Sequence, residues 1–407
     1  MIIALKQFNH YIFIFALLCS VHFFGLYFIL GDIFVKIIDA CYLLIVLLIF
    51  SKLFIEKRSI NIPTRYWLFS QPILILYFCL FISAFSGFYF HDQSPFLTLL
   101  AMRYFCYFLI YYILILLRIE KEVVLRIALI FAILYMIVFT LQLILFPTAI
   151  VPLGNADSFD RGFLRLRLEG VGFVTLMAFY SLNNFLINTK NKMQLAFYFL
   201  CFIFIFILGF RTLLLTFVVS SLLLIFFGNK SVTKGLFIVV FAFISMLAVF
   251  QLEQVREFVF SMFEQTESQM DLGHEYIRFL TFDFLFNTVN VNFTSLFFGN
   301  GKPVEGTNYG DLVLERGAKD NGYISADLGL IGFAFDYGLL SLIAFLNILR
   351  IAIFKKLPKH SVYLNIFFFY LVISSITTAE IFRAGMFGVE MLGLYLITCV
   401  NHEKHTQ

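Results

Sequence analysis

Charge is what this chain has least of. Of its 407 residues only 13% are Asp, Glu, Lys or Arg, while 61% are hydrophobic and the mean hydropathy is +0.94. A soluble domain carries about 25% charged residues, so a water-soluble globular enzyme is excluded and lipid is needed as solvent. Short segments of alternating hydropathy are missing as well, which excludes a membrane β-barrel. The six cysteines all sit inside apolar runs with no CxxC pair, so neither a disulfide framework nor a zinc site is indicated. No DxD or His-rich cluster is found, and any chemistry is expected to need neither a metal nor another cofactor. The net charge of +4 is too small and too dispersed for a nucleic-acid partner.

What the chain does have is a series of apolar runs, each long enough to cross a hydrocarbon core of roughly 30 Å. Twelve candidate spans fall near 11–30, 33–55, 66–90, 95–117, 123–146, 168–187, 193–209, 212–228, 233–251, 323–349, 361–379 and 384–400. The pattern predicts an all-α polytopic integral membrane protein, a single membrane domain over 1–407. The first run follows Lys6 like a leader, but it is long and no small-x-small site follows at Gly31-Asp32-Ile33, so it reads as a retained span.

One polar interruption, 252–322, breaks the apolar sequence between spans 9 and 10. Charge counting gives it a side. With both termini cytoplasmic, the inside segments hold 17 of the 29 Lys and Arg residues, mostly Lys. The long loop is then on the outer face. Within it, Leu252–Met270 and Glu275–Asn287 carry apolar residues at helical spacing and predict amphipathic surface helices. Gly299-Asn300-Gly301 and Gly306–Gly310 predict turns.

The other twelve basic residues violate the inside preference, and nine of them are Arg. Arginine grips phosphate or carboxylate through a planar, permanently charged fork, so an Arg-biased outer face points to an anionic ligand. Arg161, Arg165 and Arg167 precede the sixth span, beside Glu169. In an extended segment the Arg165 and Arg167 side chains share one face. Arg211 lies in Gly209-Phe210-Arg211-Thr212, between two short spans, where an unpartnered charge is costly. Arg278 projects from the second loop helix. Asp320, Asn321 and Tyr323 close the loop, and Glu380 and Arg383 are spaced i,i+3 for an ion pair near the last span. Asp327 and Asp336, near and within the tenth span, keep a transport reading open.

In their order and spacing these segments resemble the O-antigen polymerase and O-antigen ligase superfamily. The resemblance covers about 160–350. It rests on Arg165-Leu166-Arg167-Leu168-Glu169-Gly170, the Gly209–Thr212 turn, and a large outer loop with Arg278 and Gly299-Asn300-Gly301. The last part is Asp320-Asn321-Gly322-Tyr323, leading into Leu328-Gly329-Leu330-Ile331-Gly332. Where the ligases carry His before the Asn, this chain has Asp320, which favours the polymerase.

The resemblance implies a glycosyltransferase of the bacterial inner membrane, and the lack of a DxD or His-rich cluster predicts that it is metal-independent. Its substrates would be undecaprenyl-diphosphate-linked oligosaccharide repeat units, joined on the periplasmic face into O-antigen or a related surface polysaccharide. A chain-length regulator and a flippase are the implied partners. Arg165, Arg167, Arg211 and Arg278 would meet the charge of the diphosphate leaving group. Asp320 and Glu169, and secondarily Glu380, are candidate bases for the acceptor hydroxyl. Each also has a structural explanation: Asp320 as a helix cap, and the two glutamates as ion-pair partners. A ligase that transfers the glycan to lipid A-core and a lipid-linked oligosaccharide flippase are the rival functions.

Overall fold

The computed structural model describes residues 2–29, 31, 33–55, 67–151, 168–228, 276–376 and 378–406. The described residues are all helical and irregular, with no strand. The long helices are α1 (Ile2–Ser20), α2 (Ile33–Ile55), α3 (Trp67–His91), α6 (Lys121–Leu145), α7 (Val171–Ile187), α8 (Lys192–Ile207) and α9 (Arg211–Gly228). A bent fourth unit runs through α4 (Pro95–Ala101), a 3-10 stretch (Arg103–Leu109) and α5 (Ile110–Leu117). After the loop come α12 (Leu330–Phe354), α13 (Val362–Ser375) and α14 (Ala384–Thr406), with the loop helices α10 (Ile277–Asp283) and α11 (Phe293–Phe298) before them.

By length and composition five helical stretches can cross a membrane: Ile33–Ser51, Leu68–His91, Lys121–Leu145, Arg211–Gly228 and Leu330–Phe354. A sixth is possible if α4 and the following helix, bent by 60° at Met102, count as one broken span. α7 and α8 are apolar but shorter. The ninth run, 233–251, and the predicted helix Leu252–Met270 lie outside the described residues.

Hydropathy misplaced several boundaries. The first run does not continue to Leu30: α1 stops at Ser20, and His22, Phe23 and Phe24 then take left-handed backbone conformations (φ 42, 52 and 59°) ahead of Gly25. For residues with a Cβ that conformation costs roughly 1–2 kcal/mol each, so tertiary contacts must hold it. The tenth run begins late. A 3-10 turn, Ser325–Leu328, comes first, and Gly329, at φ 59° against the Ser375 and Ile376 carbonyls, opens the helix at Leu330. Gly306–Gly310 is only partly a turn: Thr307 accepts from the Gly310 N–H and starts a helix, Asn308–Gly310, that continues as a π-helical segment, Asp311–Asp320.

The helices pack as one bundle with an aromatic interior. α7 touches α6, α8, α9, α13 and α14, and α12 lies along α3 and α13. Phe13, Phe69, Phe108, Phe131, Phe139, Phe173 and Phe179 are among its fully buried side chains. One end is fastened by Lys121–Glu403 at 2.7 Å and by Tyr395 donating to the Ile119 carbonyl. The opposite end gathers the loop, the 22–29 turn, the 102–103 bend, Glu169, Phe210 and Glu380.

Candidate functional site

Three polar clusters occupy the loop end. The first is a relay of alternating charge drawn from four distant parts of the sequence. Glu169, just before α7, places Oε2 2.6 Å from Nδ1 of His22. The other ring nitrogen, Nε2, is 3.2 Å from Oδ1 of Asp39 on α2. Nε of Arg103 then donates to Asp39 Oδ2 at 2.6 Å, and Tyr107 donates to Oδ1. A carboxylate accepts and does not donate, so an imidazole between two of them fills both bonds only as the imidazolium. The order minus, plus, minus, plus leaves the relay neutral overall, which is what lets charges sit in so dry a place. It also supplies the contacts that hold His22 left-handed. Gly170 completes the fit, since a Cβ there would meet the Phe24 ring at 3.1 Å.

The second cluster is the ion pair anticipated from the i,i+3 spacing: Arg383 Nε lies 3.2 Å from Oε2 of Glu380. Glu380 is buried and its partner is partly exposed. The Arg383 guanidinium sits over the Phe210 ring, 5.6 Å from its centroid, which brings the Gly209–Thr212 turn, with the backbone of Arg211, to the same place. This cluster adjoins the first. A Cβ on Gly385 would meet Cβ of Glu169 at 2.7 Å, so the backbones at 169 and 385 touch.

The third cluster docks the loop. Lys302 donates to Asp336 Oδ2 at 2.7 Å, as does Ser325 at 3.1 Å. Burial by itself would pull the Lys302 ammonium down, but the Asp336 carboxylate outweighs it and holds the group above the ordinary lysine range. Asn300, fully buried, takes the Phe335 carbonyl with both its backbone N–H and its side-chain amide, and its Oδ1 lies 2.8 Å from His91 Nε2. Gln93 ties the Lys302 carbonyl, the Val304 N–H and the Thr307 hydroxyl to the end of α3. The Gly-Asn-Gly triplet is therefore a docking device. Gly301 (φ 78°) runs against Gly87 of α3, and Gly299 (φ 99°) against Gly338 of α12, whose own Cβ would lie 2.5 Å from the Phe298 carbonyl carbon. Phe105 bridges the clusters, packing edge-on to Tyr337 at 5.2 Å two residues beyond Arg103.

The structure thus brings Glu169, Arg211, Glu380 and Arg383 to one end. It places the loop candidates differently. Arg278, on α10, lies 5.9 Å from the Tyr276 ring. Asp320 ends the π-helical segment, exposed to solvent. Neither forms a hydrogen bond or ion pair with Glu169, His22 or Arg383 among the described residues. Asn321 donates to the Arg316 carbonyl at 2.6 Å, and Tyr323 packs on Phe284 at 5.3 Å, so both have structural tasks. Arg161, Arg165 and Arg167 lie outside the described residues.

Sequence reasoning missed His22 and Asp39, and counted Arg103 among the twelve basic residues that break the inside preference and among the few charges within or near the spans. The signal was available: each is an ionisable residue inside or beside an apolar run, where such residues are expected to have a task. No known protein family, curated protein or solved structure matches this chain.

Proposed function

We propose that this chain is a metal-independent glycosyltransferase of a bacterial inner membrane. It joins undecaprenyl-diphosphate-linked repeat units into O-antigen or a related polysaccharide. In this reading it crosses the membrane twelve times, with both termini inside and the 252–322 loop in the periplasm. The observation that supports it best is the convergence of Arg211, Arg383, Glu169 and Glu380 at the loop end of the bundle. Fixed guanidinium groups beside a dry helix interior suit a leaving group that gains negative charge as the sugar–phosphate bond breaks. A carboxylate beside them suits the deprotonation of an acceptor hydroxyl. Arg165, Arg167 and Arg278 remain part of the proposed diphosphate site, and Asp320 the alternative base.

Deletion of the gene, followed by gel analysis of surface polysaccharide, tests this reading. Loss of long chains with single-repeat glycolipid retained supports the polymerase. Loss of every repeat from lipid A-core makes it the ligase, and an unchanged ladder refutes both.

A second reading, a flippase for lipid-linked oligosaccharides, draws on carboxyls buried along the helices, Asp39 on α2 and Glu390 on α14. A deletion strain whose lipid-linked repeat units accumulate on the cytoplasmic face would favour it.

A further inference from the structure

The relay running from Glu169 to Arg103 reads as more than a brace. Its two ends are accessible and its middle is not. The Glu169 and Arg103 side chains are 26% and 22% exposed, while His22 and Asp39 between them are 2% and 7% exposed. A reactant can therefore meet Glu169 but not the imidazole behind it. Glu169 engages His22 through Oε2, which leaves Oε1 as the atom for an incoming group. His22 is itself clamped. Asp39 holds its far nitrogen, Tyr104 and Tyr107 stand edge-on to its ring at 5.7 and 6.0 Å, and Arg103 and Tyr107 hold Asp39. Asp320 has no such support. It sits at a helix end in solvent, and the adjacent Lys319 is paired with Glu315.

We infer that Glu169 is the general base toward the acceptor hydroxyl and that His22 is its positioning residue, with Asp39 and Arg103 fixing the imidazole. The inference rests on the glycosyl-transfer reading above. In the step, the acceptor O–H bond breaks and its proton passes to Oε1 of Glu169. The freed oxygen lone pair forms the bond to the anomeric carbon of the donor sugar. The anomeric C–O bond to the diphosphate breaks, and its electron pair leaves with the lipid diphosphate. Holding the carboxylate in one rotamer is the contribution of His22. Misplacement by about 1 Å costs on the order of 100-fold. The strained left-handed turn at residues 22–24 fits this account, because such strain persists where the surroundings over-determine it, and functional sites are where it gathers.

A double-mutant cycle tests it. The full-length chain is reconstituted in liposomes with the lipid-diphosphate-linked repeat unit purified from the deletion strain. Glu169→Gln, His22→Asn and the double variant are compared for kcat and KM. Asn is chosen because it tolerates positive φ. Glu169→Gln lowers kcat by about 10²- to 10⁴-fold with KM for the repeat unit little changed. His22→Asn lowers kcat about 10- to 100-fold. The double variant is no slower than Glu169→Gln alone, because a positioning residue has nothing left to position. If the two costs multiply, or if Glu169→Gln turns over normally, the inference is overturned although the transferase reading stands. If the wild-type chain forms no polymer, both fall together. Should His22→Asn not yield a monodisperse protein, Tyr107→Phe, which removes one hydrogen bond to Asp39, takes its place in the cycle, with the same overturning outcomes and a smaller expected fall in kcat.

Discussion

His22 Nδ1 lies 2.6 Å from Oε2 of Glu169, a contact that spans 147 residues of sequence and joins the break after α1 to the start of α7. Because His22 also faces Asp39, the contact passes through three helical units before it ends at Arg103. Asp39→Asn would leave Arg103 and the imidazolium facing an amide in a buried setting. Breaking one side of such a pairing costs about 3–5 kcal/mol. The expected result is a clear fall in thermal stability in detergent, followed by a thiol-reactive dye whose targets, Cys19, Cys79 and Cys201, are buried in the folded chain.

The docking glycines give a paired prediction. Gly306 has φ 78° but open space where a Cβ would go, whereas a Cβ at Gly338 (φ 91°) would strike backbone at 2.5 Å. Gly306→Ala should cost only the left-handed penalty, about 1–2 kcal/mol. Gly338→Ala should expel the loop from between α3 and α12. Limited proteolysis within 303–328 separates the two outcomes: a nearly unchanged pattern for the first, rapid cutting for the second.

Lys302 carries a pH prediction. Its folded-state pKa is raised, so its bond to Asp336 contributes fully below the ordinary lysine value of about 10.4. The contribution is lost only as pH climbs through the higher folded value. Hydrogen exchange at Asn300 and Val304 should stay protected through pH 10. Lys302→Met removes the pair and should raise exchange there at neutral pH.

Arg211 and Arg383 should matter for product length rather than for folding alone. Arg211→Ala and Arg383→Ala are expected to abolish long polysaccharide at normal protein level, and Arg383→Lys to retain part of it by keeping a cation beside Glu380. Gel ladders of surface polysaccharide, with immunoblots for the chain, provide the check.

Orientation is testable by labelling. Asp320→Cys, exposed on the loop, should react with an impermeant maleimide in intact spheroplasts. Met193→Cys, 79% exposed near the other end, should react only after lysis. The reverse pattern would invert the proposed topology.

Helices α2, α3, α6, α9 and α12 were legible because an unbroken apolar run of twenty residues has few other ways to fold in lipid. Breaks inside such runs were not. His22-Phe23-Phe24 is as apolar on average as the helix before it, and Met102 bends a run that hydropathy reads as continuous. Lipid-compatible sequence carries little information about where the backbone turns. The same averaging hid the relay: Asp39 is the one acidic residue in the twenty-three of α2, and nothing in spacing links it to Glu169. Arg383 and Glu380 were visible because their pairing is local. Asp320 drew attention through a resemblance to the ligase motif, yet its side chain stands in solvent apart from the relay.

The backbone-to-backbone seating of the loop has a consequence for descent. Gly87 with Gly301, and Gly299 with Gly338, touch without side chains, so neither member of a pair can gain a Cβ unless the chain opposite moves. Chains that share ancestry with this one should keep the four positions small together or lose them together. The exposed stretch at Glu305 and Gly306, where a Cβ on the glycine would meet nothing, is under no such joint constraint. A lineage could therefore remodel that stretch to suit a different ligand while the seat beneath it is inherited unchanged.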